Sequence, residues 1–413
     1  MNIIKTRIEL FEKFRRNYLF RNSILITFSR FSNVFVGFVF WIVAARLYSI
    51  EEVGLATVLI SSLSIIASLS KMGFDFSLIR YIEIFDKTKL FNTFIAATTI
   101  VSLVIGIIYI VEIKIFSPSL IFIQEYSYSA IFLFFLVMNS IVIIIGSGFN
   151  ALRKSEGYLF QNMILALRVP LLIPLVYLGS FGIFSSIGLA FLFSALFSLI
   201  YLSKTVKLNL KIDKQIIRES FKFSGSNYVS NIFATFPTLI LPIMVSNVLG
   251  GALAAEYYVA FAIGSLVNII PESLGTSLFV EGSHGEKMRK NVIKVGLTVY
   301  SFLIPAILFI HFFGIYIIGL FGENYLDALL LLKLIAYSSF FSSLMPIFVS
   351  LMNVKMKMKI LVLINFLMFC LLIGLSYLFI LRFGIEGVGY AWIISYATLD
   401  ILIIVFIKKF GWI

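Results

Sequence analysis

The 413-residue chain is strongly apolar: 61% of its residues are hydrophobic, 13% are charged, and its mean hydropathy is +1.05. A water-soluble domain leaves about a quarter of its chain surface exposed and cannot shield this many apolar side chains. The composition therefore excludes a soluble enzyme and predicts a helical membrane protein, in which each span needs about 20 mainly apolar residues.

Twelve apolar stretches are long enough to cross a bilayer, and we call them spans 1 to 12. They are residues 22–46, 53–72, 90–111, 127–149, 158–178, 185–203, 223–249, 256–280, 292–313, 327–352, 360–380 and 387–407. The predicted fold class is an all-α polytopic membrane protein. Residues 1–21 carry six Lys or Arg side chains and apolar residues at helical spacing. They predict a cytoplasmic amphipathic segment on the membrane surface, with no cleavable signal peptide.

Basic residues are distributed unevenly between alternate hydrophilic segments. One set of segments, which includes both termini, holds 27 of the 33 Lys and Arg residues, and the other set holds only Arg46, Lys114 and Arg382. This bias predicts a cell-membrane protein with both termini in the cytoplasm. The net charge of +13 then reflects topology and contact with anionic lipids, and nucleic acid is not expected as a partner.

The sequence lacks the motifs for several kinds of catalytic chemistry. Two histidines and one cysteine cannot build a metal site or a disulfide, and the chain has no glycine-rich phosphate loop followed by Lys-Ser or Lys-Thr. No hydrophilic segment is long enough to fold as a catalytic domain. We therefore expect no cofactor, no metal and no catalytic residues, and a protein that is not an enzyme. We also expect this protein to be a monomer.

Sequence features recur at an offset near 200 residues, which indicates a duplicated chain. Phe181-Gly182-Ile183 precedes the apolar part of span 6, and Phe383-Gly384-Ile385 precedes span 12. Similar Asn- and Lys-containing turns close spans 4 and 10. Six spans per repeat make the repeats parallel, related by an axis along the membrane normal. We predict six-helix bundles at 22–203 and 223–413, a basic linker at 204–222, and a substrate cavity between the bundles.

Polar side chains interrupt the apolar spans on single helical faces. On span 2, steps of three and four residues lead from Thr57 to Asp75. Such a stripe either allows close helix packing or lines a water-filled cleft. Spans 1, 7 and 8 also carry polar faces, which favours a cleft bordered by these four helices. The candidate substrate-binding residues are Arg30, Asn33, Ser61, Ser64, Ser68, Lys71, Arg168, Asn227, Asn231 and Asn268.

Five ionisable residues lie within spans: Arg30, Arg168, Lys333, Glu272 and Asp400. A charge at the centre of a transmembrane helix costs about 2.5–3.5 kcal/mol on insertion scales, so each needs a partner or water. Structural ion pairs and side chains that reach the membrane surface are the alternatives to function. Because the basic members outnumber the acidic ones, an anionic head group such as a phosphate is favoured. Glu272 and Asp400 are the candidates for coupling to an ion, either a proton or sodium.

Two segments carry a resemblance to a known family. Ala44-Ala-Arg46-Leu-Tyr-Ser-Ile-Glu-Glu-Val-Gly54, followed by Lys71-Met-Gly-Phe-Asp75 and Ile79-Arg-Tyr-Ile82, resembles the polysaccharide biosynthesis and oligosaccharide flippase family of the multidrug/oligosaccharidyl-lipid/polysaccharide exporters. Ser277–Ser283, at the end of span 8, is similar to that family as well.

The resemblance implies two six-helix bundles around a cavity that opens alternately to each side of the membrane. It also implies transport of an oligosaccharide linked to polyprenyl or dolichyl (pyro)phosphate from the cytoplasmic to the outer leaflet. Arg30 would hold the phosphate, and Glu272 would bind a coupling ion.

Two other functions remain open at this point. A cation-coupled multidrug antiporter of the same fold should have a cavity dominated by carboxylates, whereas the charges within these spans are net basic. A membrane polysaccharide polymerase or ligase should have a long external loop with charged catalytic residues. The longest external connection here, Glu112–Tyr126, has only three charged residues.

Overall fold

The computed structural model describes the backbone of residues 18–209, 211–283 and 288–409, and the side chains of residues 29, 31–209, 211–279 and 291–406. Regular structure within these ranges is helical, and ten helices there are long and apolar enough to cross a membrane. The predicted all-α polytopic class is confirmed. Most of the predicted surface segment at 1–21, up to residue 17, lies outside the described residues.

The helices follow the predicted spans, with shifts of several residues at their ends. Spans 1 to 4 are Tyr18–Leu47, Ile50–Ser70, Lys87–Val111 and Tyr126–Ala151; spans 6, 7 and 9 are Ser180–Ser203, Lys214–Leu249 and Met288–Gly319; spans 11 and 12 are Met358–Phe383 and Glu386–Lys409. A short helix, Phe74–Tyr81, follows span 2. Between spans 3 and 4 lie a helical turn, Ile113–Phe116, and a 3-10 segment, Pro118–Gln124.

Spans 5, 8 and 10 are each interrupted close to a proline. Span 5 consists of the helices Ser155–Leu165 and Arg168–Leu171 and a 3-10 turn, Val176–Leu178. Span 8 consists of the helix Gly251–Gly264, a 3-10 turn at Ser265–Asn268, and the helix Ile269–Ser283. Span 10 begins with a 3-10 segment, Glu323–Ala328, and continues as the helices Leu329–Ser342 and Leu344–Val354. Pro170, Pro271 and Pro346 lack the N–H that would bond the carbonyl four residues earlier, and each break lies at that carbonyl. The sequence predicted each of these three spans as one helix and did not predict the breaks.

The turns that close spans 4 and 10 have the same backbone conformation, which supports the predicted duplication. Arg153 and Met356 have positive φ angles of 57° and 55°. The residues that follow, Lys154 and Lys357, have φ/ψ angles of −96°/58° and −97°/52°. In both turns the lysine N–H donates to the carbonyl five residues earlier, at 2.8 Å and 2.9 Å. The glycines before spans 6 and 12 match as well, since Gly179 and Gly384 have φ angles of 57° and 59°.

The chain forms two compact units. The first comprises residues 1–43, 66–112 and 122–225, and the second comprises residues 44–65, 113–121 and 226–413. Spans 1 and 2 therefore contribute to both units, and the connection between them belongs to the second. The core of the first unit is aromatic: Phe74 stacks on Phe94 with 4.5 Å between ring centroids, and Phe149 is fully buried in the same cluster. The bundle boundaries drawn from the sequence stay a prediction.

The connection between spans 1 and 2 has two helix-end interactions, both within the second unit. Arg46 donates from Nε to the Leu320 carbonyl at 2.9 Å and from Nη2 to the Gly319 carbonyl at 2.8 Å. A cation is stabilised at the carboxyl end of a helix, here span 9. Ser49 and Glu52 form a reciprocal capping box at the start of span 2: the Ser49 N–H donates to Glu52 Oε2 at 2.8 Å and the Glu52 N–H donates to Ser49 Oγ at 3.3 Å.

Gly54 lies where span 2 passes the start of span 8. A Cβ added to Gly54 would lie 1.7 Å from the carbonyl oxygen of Gly251, so no larger residue fits without movement. Nearby, burial and then the Glu52 carboxylate raise the pKa of Tyr48 to about 12. The segment from Ala44 to Gly54 thus joins spans 1 and 2 to spans 8 and 9. These contacts give a structural reason for Arg46 and Gly54 in its sequence.

Candidate functional site

A polar cluster in the first unit is centred on Arg168. Its Nη2 donates to Oδ1 of Asn33 at 3.0 Å and to the Asn33 carbonyl at 3.3 Å. Asn33 Nδ2 donates in turn to Oδ1 of Asn162 at 3.3 Å. The Arg168 guanidinium also lies 5.7 Å from the ring centroid of Phe40, within the range of a cation–π interaction. We call these four residues the Arg168 cluster.

The break in span 5 places this cluster beside span 1. Arg168 is the first residue of the short helix that follows the break at Leu165. A Cβ on Gly37 would lie 3.5 Å from Arg168 Nη2, an ordinary van der Waals distance, so the guanidinium lies directly beside span 1 at this residue. Arg168 and Asn33 are both half-buried. Arg30 lies on span 1 one turn before Asn33, and its side chain lies outside the described residues.

The candidate residues of span 2 have different environments. Thr57 and Ser61 are buried, and Thr57 Oγ1 donates to the Gly54 carbonyl at 2.7 Å, as expected from the packing interpretation. Ser64 and Ser68 are half-buried. Lys71 forms an ion pair with Asp75, with 3.0 Å between Nζ and Oδ2. Substrate binding by these residues stays a prediction.

A cavity of about 460 Å³ lies within the second unit, between spans 8, 10 and 12. Its polar lining consists of Asn268, Glu272, Thr276, Ser342, Ser350, Asn353 and Tyr396. Glu272 is exposed in this lining, and Asn268 Oδ1 accepts a hydrogen bond of 2.9 Å from Ser342. A Cβ on Gly275 would lie 2.8 Å from Pro346, so this glycine allows spans 8 and 10 to approach each other. We call this space the span 8 cavity.

The two carboxylates predicted to couple to an ion lie near the same tyrosine. Both Glu272 and Asp400 act electrostatically on the hydroxyl of Tyr396, which lines the span 8 cavity. Asp400 is buried, with 7% of its surface exposed. On span 7, Asn227 and Asn231 are half-buried. Among the side chains that the structure describes, no group of three His, Cys, Asp or Glu residues could hold a metal ion.

Residues 19–275 match the model of a family described as polysaccharide biosynthesis protein, over more than half of the chain. The chain belongs to this family. A putative O-antigen transporter of Shigella flexneri is 24% identical over 242 residues, which cover 56% of this chain and 58% of that protein. The matched region is thus less than two thirds of that relative's length.

Solved structures show that this polysaccharide biosynthesis protein has the fold of known transporters. The lipid II flippase MurJ, in an inward closed conformation, has a TM-score of 0.72 and 15% identity, and covers 93% of this chain and 87% of its own. An inward-facing multidrug resistance MATE family transporter of the MOP superfamily has a TM-score of 0.69 and 14% identity, and the match covers 91% of this chain and 94% of that transporter. The chain therefore belongs to the polysaccharide biosynthesis family and shares a multi-pass membrane fold with these transporters.

Sequence reasoning missed several polar residues of this family member. Asn162 contacts Asn33 across 129 residues of chain, and no local pattern marks that contact. Span 10, in contrast, carries a pattern that could have been found. Ser342, Ser350 and Asn353 are separated by eight and then three residues. Helical spacing places them on one face, as it does for the polar residues of span 2. Asn365 of span 11 is a further buried polar residue, and its Nδ2 donates to Ser230 Oγ at 2.9 Å.

Proposed function

We propose that this protein is a flippase for an oligosaccharide linked to a polyprenyl or dolichyl phosphate or pyrophosphate. It moves this lipid from the cytoplasmic to the outer leaflet of the cell membrane, for the assembly of surface polysaccharide or glycan. The observation that carries the proposal is the Arg168 cluster, which holds a cation beside amide groups inside the first unit. Family membership and the putative O-antigen transporter relative support the same substrate class.

The chemistry of the Arg168 cluster suits a phosphate head group. A guanidinium presents five N–H donors in a planar fork that matches the oxygens of a phosphate. The contacts to Asn33 use a single nitrogen, Nη2, and they hold the side chain beside span 1. Arg30 supplies a second cation for a pyrophosphate. The amides of Asn33, Asn227, Asn231 and Asn268 donate to and accept from sugar hydroxyls.

Glu272 and Asp400 provide the proposed coupling to a proton or sodium gradient. Glu272 lines the span 8 cavity, and both carboxylates act on Tyr396. Binding of a cation to one carboxylate changes the charge beside spans 8 and 12. Both termini of the transporter lie in the cytoplasm in this proposal, on the strength of the 27-to-3 distribution of basic residues.

The phosphate assignment is tested by lipid binding to the full chain in nanodiscs. Polyprenyl pyrophosphate is compared with polyprenol, which has the same tail and no charge, by native mass spectrometry. We expect preferential binding of the pyrophosphate, and a loss of about tenfold (about 1.4 kcal/mol) or more in Arg168→Gln, because a charge-assisted hydrogen bond is removed. Arg382→Gln, which removes an exposed arginine at the end of span 11, is the matched control and should bind like wild type.

Transport is measured separately, in proteoliposomes that contain a fluorescent polyprenyl pyrophosphate disaccharide. The readout is the fraction of the label that a membrane-impermeant reductant can reach. Arg168→Lys keeps the charge and loses the planar fork, so flipping should slow while the protein remains in the membrane. Equal binding of the two lipids, or equal losses in Arg168→Gln and the control, would contradict the phosphate role.

A multidrug antiporter is the second candidate. It is favoured by one observation, the exposed Glu272 carboxylate in the span 8 cavity, because a carboxylate suits a cationic drug. Uptake of ethidium into the same proteoliposomes, driven by an ion gradient, distinguishes the two. Ethidium transport that Glu272→Gln abolishes and Arg168→Gln leaves unchanged would favour the antiporter.

A further inference from the structure

A third carboxylate, Glu256, is buried in the second unit. It lies on the first helix of span 8, Gly251–Gly264, with 7% of its surface exposed. Its Oε2 atom is inaccessible to solvent and has no partner among the described residues. An isolated carboxylate in such surroundings is strongly destabilised, whereas the neutral acid is tolerated far better. Glu256 does not line the span 8 cavity.

The surroundings of Glu256 are acidic. The groups that act on it electrostatically are Asp327, in the 3-10 segment that opens span 10, and Glu386, at the start of span 12. Glu51 of span 2 packs against Gly251, at the beginning of the same helix. No basic side chain of the described residues is among the groups acting on Glu256. Because negative neighbours disfavour a further negative charge, the environment selects the neutral acid.

A second buried group interacts with this carboxyl. Tyr325 is 2% exposed, its hydroxyl has no partner among the described residues, and it interacts electrostatically with Glu256. Asp327 is exposed and Glu386 is half-buried. Two carboxylates nearer to solvent therefore act on this buried acid, and chains of carboxylates relay protons in pumps and transporters. The three carboxylates do not form a metal site.

We propose that Glu256 is a proton-binding site, protonated in this conformation, that exchanges its proton through Asp327 and Glu386. In this step a hydronium ion transfers its proton to the carboxylate, an O–H bond forms on Oε2, and water is released. The site lies apart from Glu272 and Asp400, and it does not depend on the identity of the transported substrate.

Infrared spectroscopy of the full chain in nanodiscs tests the proposal without any substrate. A protonated carboxyl has a C=O stretch well separated from the bands of a carboxylate. At neutral pH, Glu256→Gln should lose the protonated-carboxyl band of one group per chain, and this band should shift in D₂O in wild type. Glu323→Gln, which removes an exposed carboxylate that is not among the groups acting on Glu256, is the control and should retain the band. Loss of a carboxylate band in Glu256→Gln, with the protonated band unchanged, would overturn the proposal.

Two further variants keep the test decisive. If Glu256→Gln does not fold, Glu256→Asp should move the protonated band to a new frequency, and an unmoved band would refute the assignment. The double variant Asp327→Asn/Glu386→Gln keeps the buried acid and removes the proposed route. Its band should respond to D₂O more slowly than the wild-type band, and an unchanged rate would remove Asp327 and Glu386 from the proposal. The polyprenyl pyrophosphate experiments are independent of all these outcomes.

Discussion

Replacement of Gly54 by alanine should destabilise the protein, although alanine is the better helix former. In an exposed helix interior, Gly→Ala stabilises by about 1 kcal/mol. At Gly54 the new methyl carbon would lie 1.7 Å from the Gly251 carbonyl oxygen and 2.5 Å from its carbon, so two helix backbones must separate. Overpacking of this kind costs about 1–3 kcal/mol, and an overlap with backbone is at the upper end. We expect a net loss of about 2 kcal/mol in the free energy of unfolding.

The control for this prediction is Gly374→Ala on span 11. Gly374 has no atom within 4 Å of an added Cβ, so this variant has the helix-propensity gain without the overlap. Both proteins are heated in the same detergent, and the fraction that remains monodisperse is followed by size-exclusion chromatography. The midpoint should fall for Gly54→Ala and stay or rise for Gly374→Ala. If Gly54→Ala were as stable as Gly374→Ala, the close approach of spans 2 and 8 would be wrong.

Three further predictions concern capping, topology and coupling. Arg46→Gln should lower the thermal midpoint, because about 0.3–1 kcal/mol of charge–dipole stabilisation at the end of span 9 is lost, and Arg382→Gln should lower it less in the same heating assay. In a Cys370→Ser background, Asn324→Cys should react with an impermeant thiol reagent added outside cells and Lys211→Cys should not; the opposite labelling would reverse the topology. Glu272→Gln should remove the dependence of flipping on a proton or sodium gradient and leave polyprenyl pyrophosphate binding intact, and retained ion dependence would exclude Glu272 as the coupling group.

The polar stripe of span 2 illustrates how far a helical pattern can be interpreted. The spacing placed Thr57, Ser61, Ser64 and Ser68 on one face, and a single face was expected to contact water. The structure buries Thr57 and Ser61 and leaves Ser64 and Ser68 half-buried. Spacing defines a face, but the neighbouring helices decide how much of that face they cover. The same criterion on span 10 would have indicated part of the span 8 cavity.

Arg168 illustrates what spacing could not supply. Its charge within a span marked it as a candidate, and its contact with Asn33 joins residues 135 positions apart. That contact depends on the break in span 5, which starts a new helix at Arg168. The prolines of span 5 were visible in the sequence, but the direction in which the chain resumes after the break was not.

The sequence by itself determined the membrane class, the approximate positions of the spans and the duplicated turns. These properties are local, because a bilayer demands about 20 apolar residues per span and a turn depends on adjacent backbone angles. Only the tertiary structure decided that Arg168 meets Asn33, that Glu272 lines a cavity, and that the buried Glu256 has no partner for its Oε2 atom among the described residues. Such contacts depend on how separate helices pack, and in lipid that packing follows shape and polar partners more than hydrophobicity.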